Sequence, residues 1–185
     1  MLFSTFEVTR QAFHRTSLAY AIVNLKPIVP GHVLVCSTRP VPRLVDLRED
    51  ELAELMCTVQ RVGRVIEHAY KADGLTIACQ DGRASGQTVP HVHFHILPRN
   101  LRGDRFAGSQ NDAVYRELEK QEGTLPQDLA VTSQSHTDSR DLEPLRMDAD
   151  EAREPRTLED MEQEARWLAG FFEADRRGNV HKFKS

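Results

Sequence analysis

Between Pro90 and Pro98 the chain reads His91-Val-His-Phe-His-Ile-Leu97, histidine and apolar residue in turn. Successive side chains of a strand point to opposite faces, which puts His91, His93 and His95 on one face, each ~6.6 Å from the next. Val92, Phe94 and Ile96 take the other face and can enter a core. With 8 His in 185 residues, such a triplet arises by chance about 0.015 times per chain, so the row is a signal.

Three adjacent imidazoles have a use in phosphoryl chemistry. A histidine nucleophile must be neutral, and at an ordinary pKa near ~6.5 roughly three-quarters is neutral at pH 7. Its neighbours disfavour a further positive charge, which holds the central ring, His93, unprotonated. The flanking His91 and His95 can donate to phosphate oxygens while His93 attacks phosphorus, dividing one hard displacement into two easier ones. The preceding stretch, Gln80-Asp-Gly-Arg-Ala-Ser-Gly-Gln-Thr88, suits this: Gly82 and Gly86 let backbone N–H groups approach phosphate, and Thr88 adds a hydroxyl. The plainer alternative is a structural zinc site, since imidazole is a common zinc ligand.

Other segments supply a frame. Residues 19–25 and 32–36 read as apolar, β-branched strands, joined by the turn Lys26-Pro-Ile-Val-Pro-Gly31. Leu52, Leu55, Met56, Val59, Val62, Ile66 and Ala69 recur at three- and four-residue steps and predict a helix over 46–72. Acidic residues at its start favour the positive end of the helix dipole, and Gly74 is expected to supply its left-handed cap. Residues 75–79 and 92–97 are further strands. A last amphipathic helix over 157–175 carries Met161, Ala165, Leu168 and Phe172 on one stripe and opens on a capping pair, Thr157 and Asp160.

Charge is uneven along the chain. Residues 1–110 hold 13 Lys+Arg against 10 Asp+Glu, a net of +3, whereas residues 111–185 hold 11 against 18, a net of −7. Residues 121–156 are acidic and too poor in apolar side chains to offset the entropy of ordering them, so they read as a disordered insert. The expected organisation is a core domain over 1–120, that insert, a docking helix over 157–175 and a flexible tail over 176–185. No dense basic face points to nucleic acid, and no apolar run approaches the ~20 residues of a membrane span. Three scattered cysteines and an N-terminus without signal-peptide character favour the cytoplasm, alone or with the nucleus.

The stretch Gly86-Gln-Thr-Val-Pro-His-Val-His-Phe-His-Ile-Leu97 resembles the signature of the histidine-triad (HIT) family. With Val23-Asn-Leu-Lys-Pro-Ile-Val-Pro-Gly-His-Val-Leu-Val35, Gln60-Arg-Val-Gly63, Gln80-Asp-Gly82 and Asn111-Asp-Ala-Val-Tyr115, it is similar to the fragile-histidine-triad branch, the dinucleoside polyphosphate hydrolases, and most to the fungal members. The resemblance implies an α+β fold: a five-stranded antiparallel sheet with a long helix and a C-terminal helix, the sheet continued across a homodimer. It implies that His93 becomes nucleotidylated at the α-phosphate and that His91 and His95 contact phosphate. His32 would lie beside the site and Asn24 would hold the ribose. Gly86, Gln87, Thr88 and Val89 would line the nucleotide site, with Gln80 near the scissile bridge and the entering water. Three departures stand out. Phe3-Ser-Thr-Phe6 has no counterpart of a histidine that some members carry at a nucleotide contact, Arg83-Ala-Ser85 adds a cation to the phosphate loop, and the insert at 121–157 is longer and more acidic than expected of the animal members.

The expected activity is hydrolysis of diadenosine triphosphate to AMP and ADP through a nucleotidyl-histidine. A divalent cation, Mg or Mn, would ride on the substrate phosphates, with no tightly bound cofactor. Alternatives are an adenosine phosphoramidase of the same family, or a nucleotide-bound signalling module with slow turnover.

Overall fold

A computed structural model describes residues 1–121, 123 and 155–176. Its elements are β1 (Leu2–Phe3), β2 (Phe6–Glu7), β3 (Ala12–Arg15), β4 (Ala19–Val23), β5 (Val33–Ser37), α1 (Glu49–Tyr70), β6 (Gly74–Ala78), β7 (His93–Arg99), α2 (residues 113–121) and α3 (Leu158–Arg176). The insert apart from its ends, and the tail beyond residue 176, lie outside the described residues. β1 and β2 make a small antiparallel pair, and the rest form one five-stranded antiparallel sheet in the order β3-β4-β5-β7-β6. The expected α+β sheet is therefore the observed one.

Register decides what each face carries. Cys36 pairs with His93 and Leu34 with His95, and on the next strand Tyr20 pairs with Cys36 and Ile22 with Leu34. Opposed residues share a face, so the histidines stand with Leu34, Cys36, Tyr20 and Ile22. The other face bears Ala19, Ala21, Val23, Val33, Val35, Phe94 and Ile96. Gly63 fixes which face α1 covers: a Cβ there would lie 2.8 Å from Leu75 Cδ1, and Leu75 faces the same way as Ile96. The helix thus fills one side with Leu55, Val59, Val62 and Ile66, all buried, and leaves the other side to the histidines. β4 and β5 are buried at every position, which explains their continuous apolar runs.

Element boundaries shift by one to three residues from those predicted, and three of the differences have a clear physical reason. The left-handed cap of α1 is Lys71, at φ +52 with its N–H returned to the last turn, and Gly74 instead opens β6. Asp46 belongs to a short 3-10 turn before the helix, whose first turn is tied by the Glu51 carboxylate accepting from the Arg48 N–H at 2.9 Å. β7 runs through Pro98 to Arg99, because its ladder with β5 ends at Ile96 and no carbonyl on that side needs an N–H from Pro98. Strands β1 to β3 carried no periodic signal; they are two to four residues long, and β2 and β3 mix charged with apolar side chains.

α3 packs on β3 and β4 through buried Met161, Ala165 and Leu168. Its cap is a reciprocal pair: the Asp160 N–H donates to Thr157 Oγ1 at 3.1 Å, and the Thr157 hydroxyl donates to the Asp160 carboxylate at 2.7 Å. Just before it, the Arg156 N–H donates to the Leu25 carbonyl at 3.0 Å. Trp167 meets Tyr70 and Phe171 edge-to-face, which gives these rings a packing role.

Gly31 closes the β4–β5 turn at φ +80, and a Cβ there would fall 2.5 Å from the Tyr70 ring. Backbone strain and overlap act together. Gly31→Ala is expected to lower stability by about 2–4 kcal/mol, read as a shifted urea midpoint with unchanged slope.

Candidate active site

The turn that Gly31 permits delivers His32, and β7 delivers the histidine row. His91, His93 and His95 are 0–1% exposed and His32 is 1% exposed. The row is therefore enclosed, where the sequence pattern alone leaves it open to solvent. From the described residues Phe3 contributes to the cover, stacking on His91 with ring centroids 5.4 Å apart and meeting His93 edge-on at 5.2 Å.

Hydrogen bonds set the protonation of each ring. His91 Nδ1 accepts from the Ser4 N–H at 2.9 Å, and its Nε2–H donates to the Ser37 carbonyl at 2.7 Å. One ring nitrogen accepts and the other donates, which defines a neutral ring in a single tautomer. Burial, and then the neighbouring His93, lower its pKa to about 4 against the opposing pull of the Ser37 carbonyl. His91 is thus occupied on both sides by protein, where the sequence reading had it donating to phosphate.

His93 Nδ1–H donates to the His91 carbonyl at 2.7 Å. In the neutral ring the lone pair then resides on Nε2, the form needed for attack. A relay fixes His95 in the same manner. The Ile28 N–H donates to His32 Nδ1 at 3.2 Å, so His32 carries its proton on Nε2, 3.0 Å from His95 Nδ1. His95 accepts there and keeps its own proton on Nε2. Asn24 Nδ2 also approaches His32 Nε2, at 3.3 Å, while Asn24 Oδ1 takes the Lys26 N–H at 2.9 Å. An amide nitrogen only donates, so His95 Nδ1 is the acceptor that takes the His32 proton and the Asn24 amide is a close donor without a bond there. Asn24, His32, His95, His93 and His91 thus form one connected wall.

The loop before β7 behaves differently from its sequence reading. The N–H groups of Ser85, Gly86 and Gln87 donate to the carbonyls of Gly82, Arg83 and Gly82, so they brace the loop instead of cradling an anion. Gln87 is a strut: its Oε1 accepts from the Gly82 N–H and its Nε2 donates to the Pro42 carbonyl, each at 2.9 Å. Val89 is buried, and Thr88 and Arg83 are exposed. Gly86, at φ +86, lets the Gln80 amide lie where a Cβ would come within 2.6 Å of its Nε2. Gln80 Oε1 is buried without a hydrogen-bond partner among the described residues, an acceptor held ready for a water or a ligand donor. Beside it, burial pushes the Cys79 thiol up to about 11, which makes it a poor nucleophile at pH 7.

Sequence reasoning missed four contributors: Phe3 and Ser4 from the N-terminal corner, Ser37 at the end of β5, and the Arg43–Asp81 pair. Arg43 grips the Asp81 carboxylate with two bonds of 3.1 Å and, with the Leu44 N–H, holds its pKa below the usual range. Its guanidinium packs on Gly82, which sits at φ +101. Only Gln80-Asp-Gly82, read with the segment at 41–44, could have suggested that contact. A groove of about 730 Å³ lined by Asp73, Thr76, Arg99, Phe106, Asn111 and Tyr115 contains none of the histidines. Among the described residues no three His, Cys, Asp or Glu side chains converge on a point where they could hold a metal ion.

A family model described as "HIT domain" matches residues 5–101. The chain is 49% identical over 176 residues to the bis(5'-nucleosyl)-tetraphosphatase [asymmetrical] of Schizosaccharomyces pombe, covering 93% of this chain and 94% of that one. It is 39% identical over 166 residues to the bis(5'-adenosyl)-triphosphatase of Dictyostelium discoideum, covering 90% and 88%. The structure of Plasmodium falciparum diadenosine triphosphate hydrolase in complex with cyclomarin A superposes with a TM-score of 0.61 at 24% identity, covering 99% of this chain and 86% of that one. That last likeness establishes the fold.

The lowered pKa of His91 makes stability depend on pH. Between about 6.5 and about 4 the unfolded chain takes up a proton that the folded ring refuses, so stability falls as pH falls. In His91→Gln, urea unfolding between pH 7 and 4.5 is expected to lose about one proton's worth of this slope.

Proposed function

Because the chain belongs to the HIT domain family, we propose that it hydrolyses dinucleoside polyphosphates through a covalent bond to His93. The observation that carries this reading is the His93 tautomer, with Nδ1–H on the His91 carbonyl and the lone pair on Nε2. The names of its relatives agree with the substrate class. The substrate expected to be preferred is diadenosine triphosphate.

In the first step Nε2 of His93 bonds to the α-phosphorus while the bond from phosphorus to the bridging oxygen breaks and ADP departs. Positive charge builds on the imidazole as the N–P bond forms. The His91 carbonyl, already aligned with Nδ1–H, stabilises that charge without reorganising. His95, held by His32 with its proton on Nε2, offers a donor to phosphate oxygen. In the second step water attacks the same phosphorus and releases one proton to solvent, the N–P bond breaks, AMP leaves, and the ring returns to its neutral tautomer. The unpartnered Oε1 of Gln80 is an acceptor for a proton of that water, orienting it without taking the proton. Asn24 would hold the ribose. A divalent cation would enter as part of the polyphosphate substrate, and no step on the protein is assigned to it.

The same reading includes a homodimer. β6 is an edge strand paired only with β7, and Ile77 on it is 46% exposed, with Leu52 and Met56 exposed on α1. A free, apolar edge invites a second copy. Light scattering is expected to give twice the chain mass, and Ile77→Lys the monomer mass.

His93→Ala is expected to reduce turnover by at least ~10⁴ while leaving nucleotide binding measurable by calorimetry. Mass spectrometry of quenched wild-type reactions should find AMP on the peptide that carries His93, and chromatography should find AMP and ADP from diadenosine triphosphate. Turnover retained in His93→Ala would refute the assignment.

A further inference from the structure

The turn between β1 and β2 places Ser4 at φ +55, one of two described non-glycine residues with positive φ. A serine in that region costs conformational energy that the surroundings must offset. Here the offset is visible. The turn directs the Ser4 N–H at His91 Nδ1, 2.9 Å away. The preceding residue inserts the Phe3 ring, 1% exposed, against His91 and His93. From β4 the Tyr20 hydroxyl donates to the Leu2 carbonyl at 2.8 Å and ties the strand down.

Building on the reading of His93 as nucleophile, we infer that the Phe3–Ser4 corner is a positioning element of the active site. It holds the His91 ring in one tautomer and, through the His91 carbonyl, holds the reacting ring of His93. The chain of contacts is short. Ser4 and Ser37 grip the His91 ring from opposite sides, and a ring bonded at both nitrogens cannot turn without losing one bond. The backbone of residue 91 is fixed with it, its N–H donating to the Val89 carbonyl at 2.8 Å. Its carbonyl is then a stationary acceptor for His93 Nδ1–H. Phe3 adds a wall that stops the His93 ring from swinging toward His91.

A proton on His91 Nδ1 would oppose the Ser4 N–H, donor to donor, so protonation and the bound corner exclude each other. The groups that face His91 are the Ser4 N–H and Phe3 from the N-terminal corner, Tyr20 from β4, the Ser37 carbonyl from β5 and His93 from β7. Of these Tyr20 and His93 titrate, and burial raises the Tyr20 phenol far above the range in question. The corner therefore keeps the site in its working form as the solution becomes acidic.

The test uses the whole chain. In ¹⁵N-labelled wild type, a coupling across the hydrogen bond between the Ser4 amide nitrogen and His91 Nδ1 is expected, with His91 neutral and protonated on Nε2 from pH 5 to 8. Ser4→Pro removes the N–H and forbids positive φ. It should move the His91 midpoint from about 4 toward ~6.5, raise the acid limb of kcat/KM by one to two pH units, and lower its plateau about tenfold. Ser4→Gly, which keeps the N–H and suits the turn, should retain the wild-type His91 tautomer. The nitrogen measurements need no substrate, so a wrong substrate class would silence the kinetics and leave them standing. Absence of the coupling in wild type overturns the inference, even if Ser4→Pro fails to fold. So does an unshifted His91 titration in folded Ser4→Pro, or a gain in turnover, which would make the corner an obstructing cover instead.

Discussion

One hydrogen bond organises the site: Nδ1–H of His93 to the carbonyl of His91, two residues earlier on the same strand. An isolated imidazole samples both tautomers, and only one of them puts the lone pair on Nε2. A carbonyl can hold the ring in that tautomer only if it is itself immobile. Much of the surrounding architecture meets that requirement. The sheet fixes the backbone from Cys36 on one side to Ala78 on the other, and the His91 ring is clasped between Ser4 and Ser37.

The two flanking histidines, which look equivalent in the motif, are held by opposite logic. His91 accepts from a backbone N–H and donates to a carbonyl, so both nitrogens are satisfied within the fold. His95 accepts from His32, whose own tautomer is set by the Ile28 N–H, and this orients its remaining N–H as a donor. One is bonded at both ring nitrogens within the fold, and the other is oriented by a relay. Burial serves both, because low polarity strengthens each bond, and for His91 it also disfavours the imidazolium that would reverse it.

The loop at 80–88 shows how the same residues support a different physics from the one their composition suggests. Glycines and a glutamine beside a histidine row read as an anion cradle. In the structure Gly82 makes room for the Arg43 guanidinium, Gly86 makes room for the Gln80 amide, and Gln87 spans the loop to Pro42. The loop's backbone N–H groups are turned inward on its own carbonyls, and the space that Gly86 leaves is filled by the Gln80 amide.

Periodicity of two and of 3.6 residues was enough to locate the strands around 19, 33, 75 and 93, the long helix and the C-terminal helix, because each buries a face whose pattern is local. It was also enough to single out His93, since alternation alone puts three imidazoles on one side. The caps and short strands were out of reach. Lys71 adopts a left-handed turn through its context, and β1 to β3 pair with near neighbours in the chain but are, at two to four residues, too short to show a period. What the tertiary structure alone decided is which nitrogen of each ring carries the proton, because Ser4, Ser37 and His32 lie 87, 54 and 63 residues from the histidines they fix. A one-dimensional pattern gives the chemistry of a side chain, whereas protonation depends on donors and acceptors that only folding brings within three ångströms.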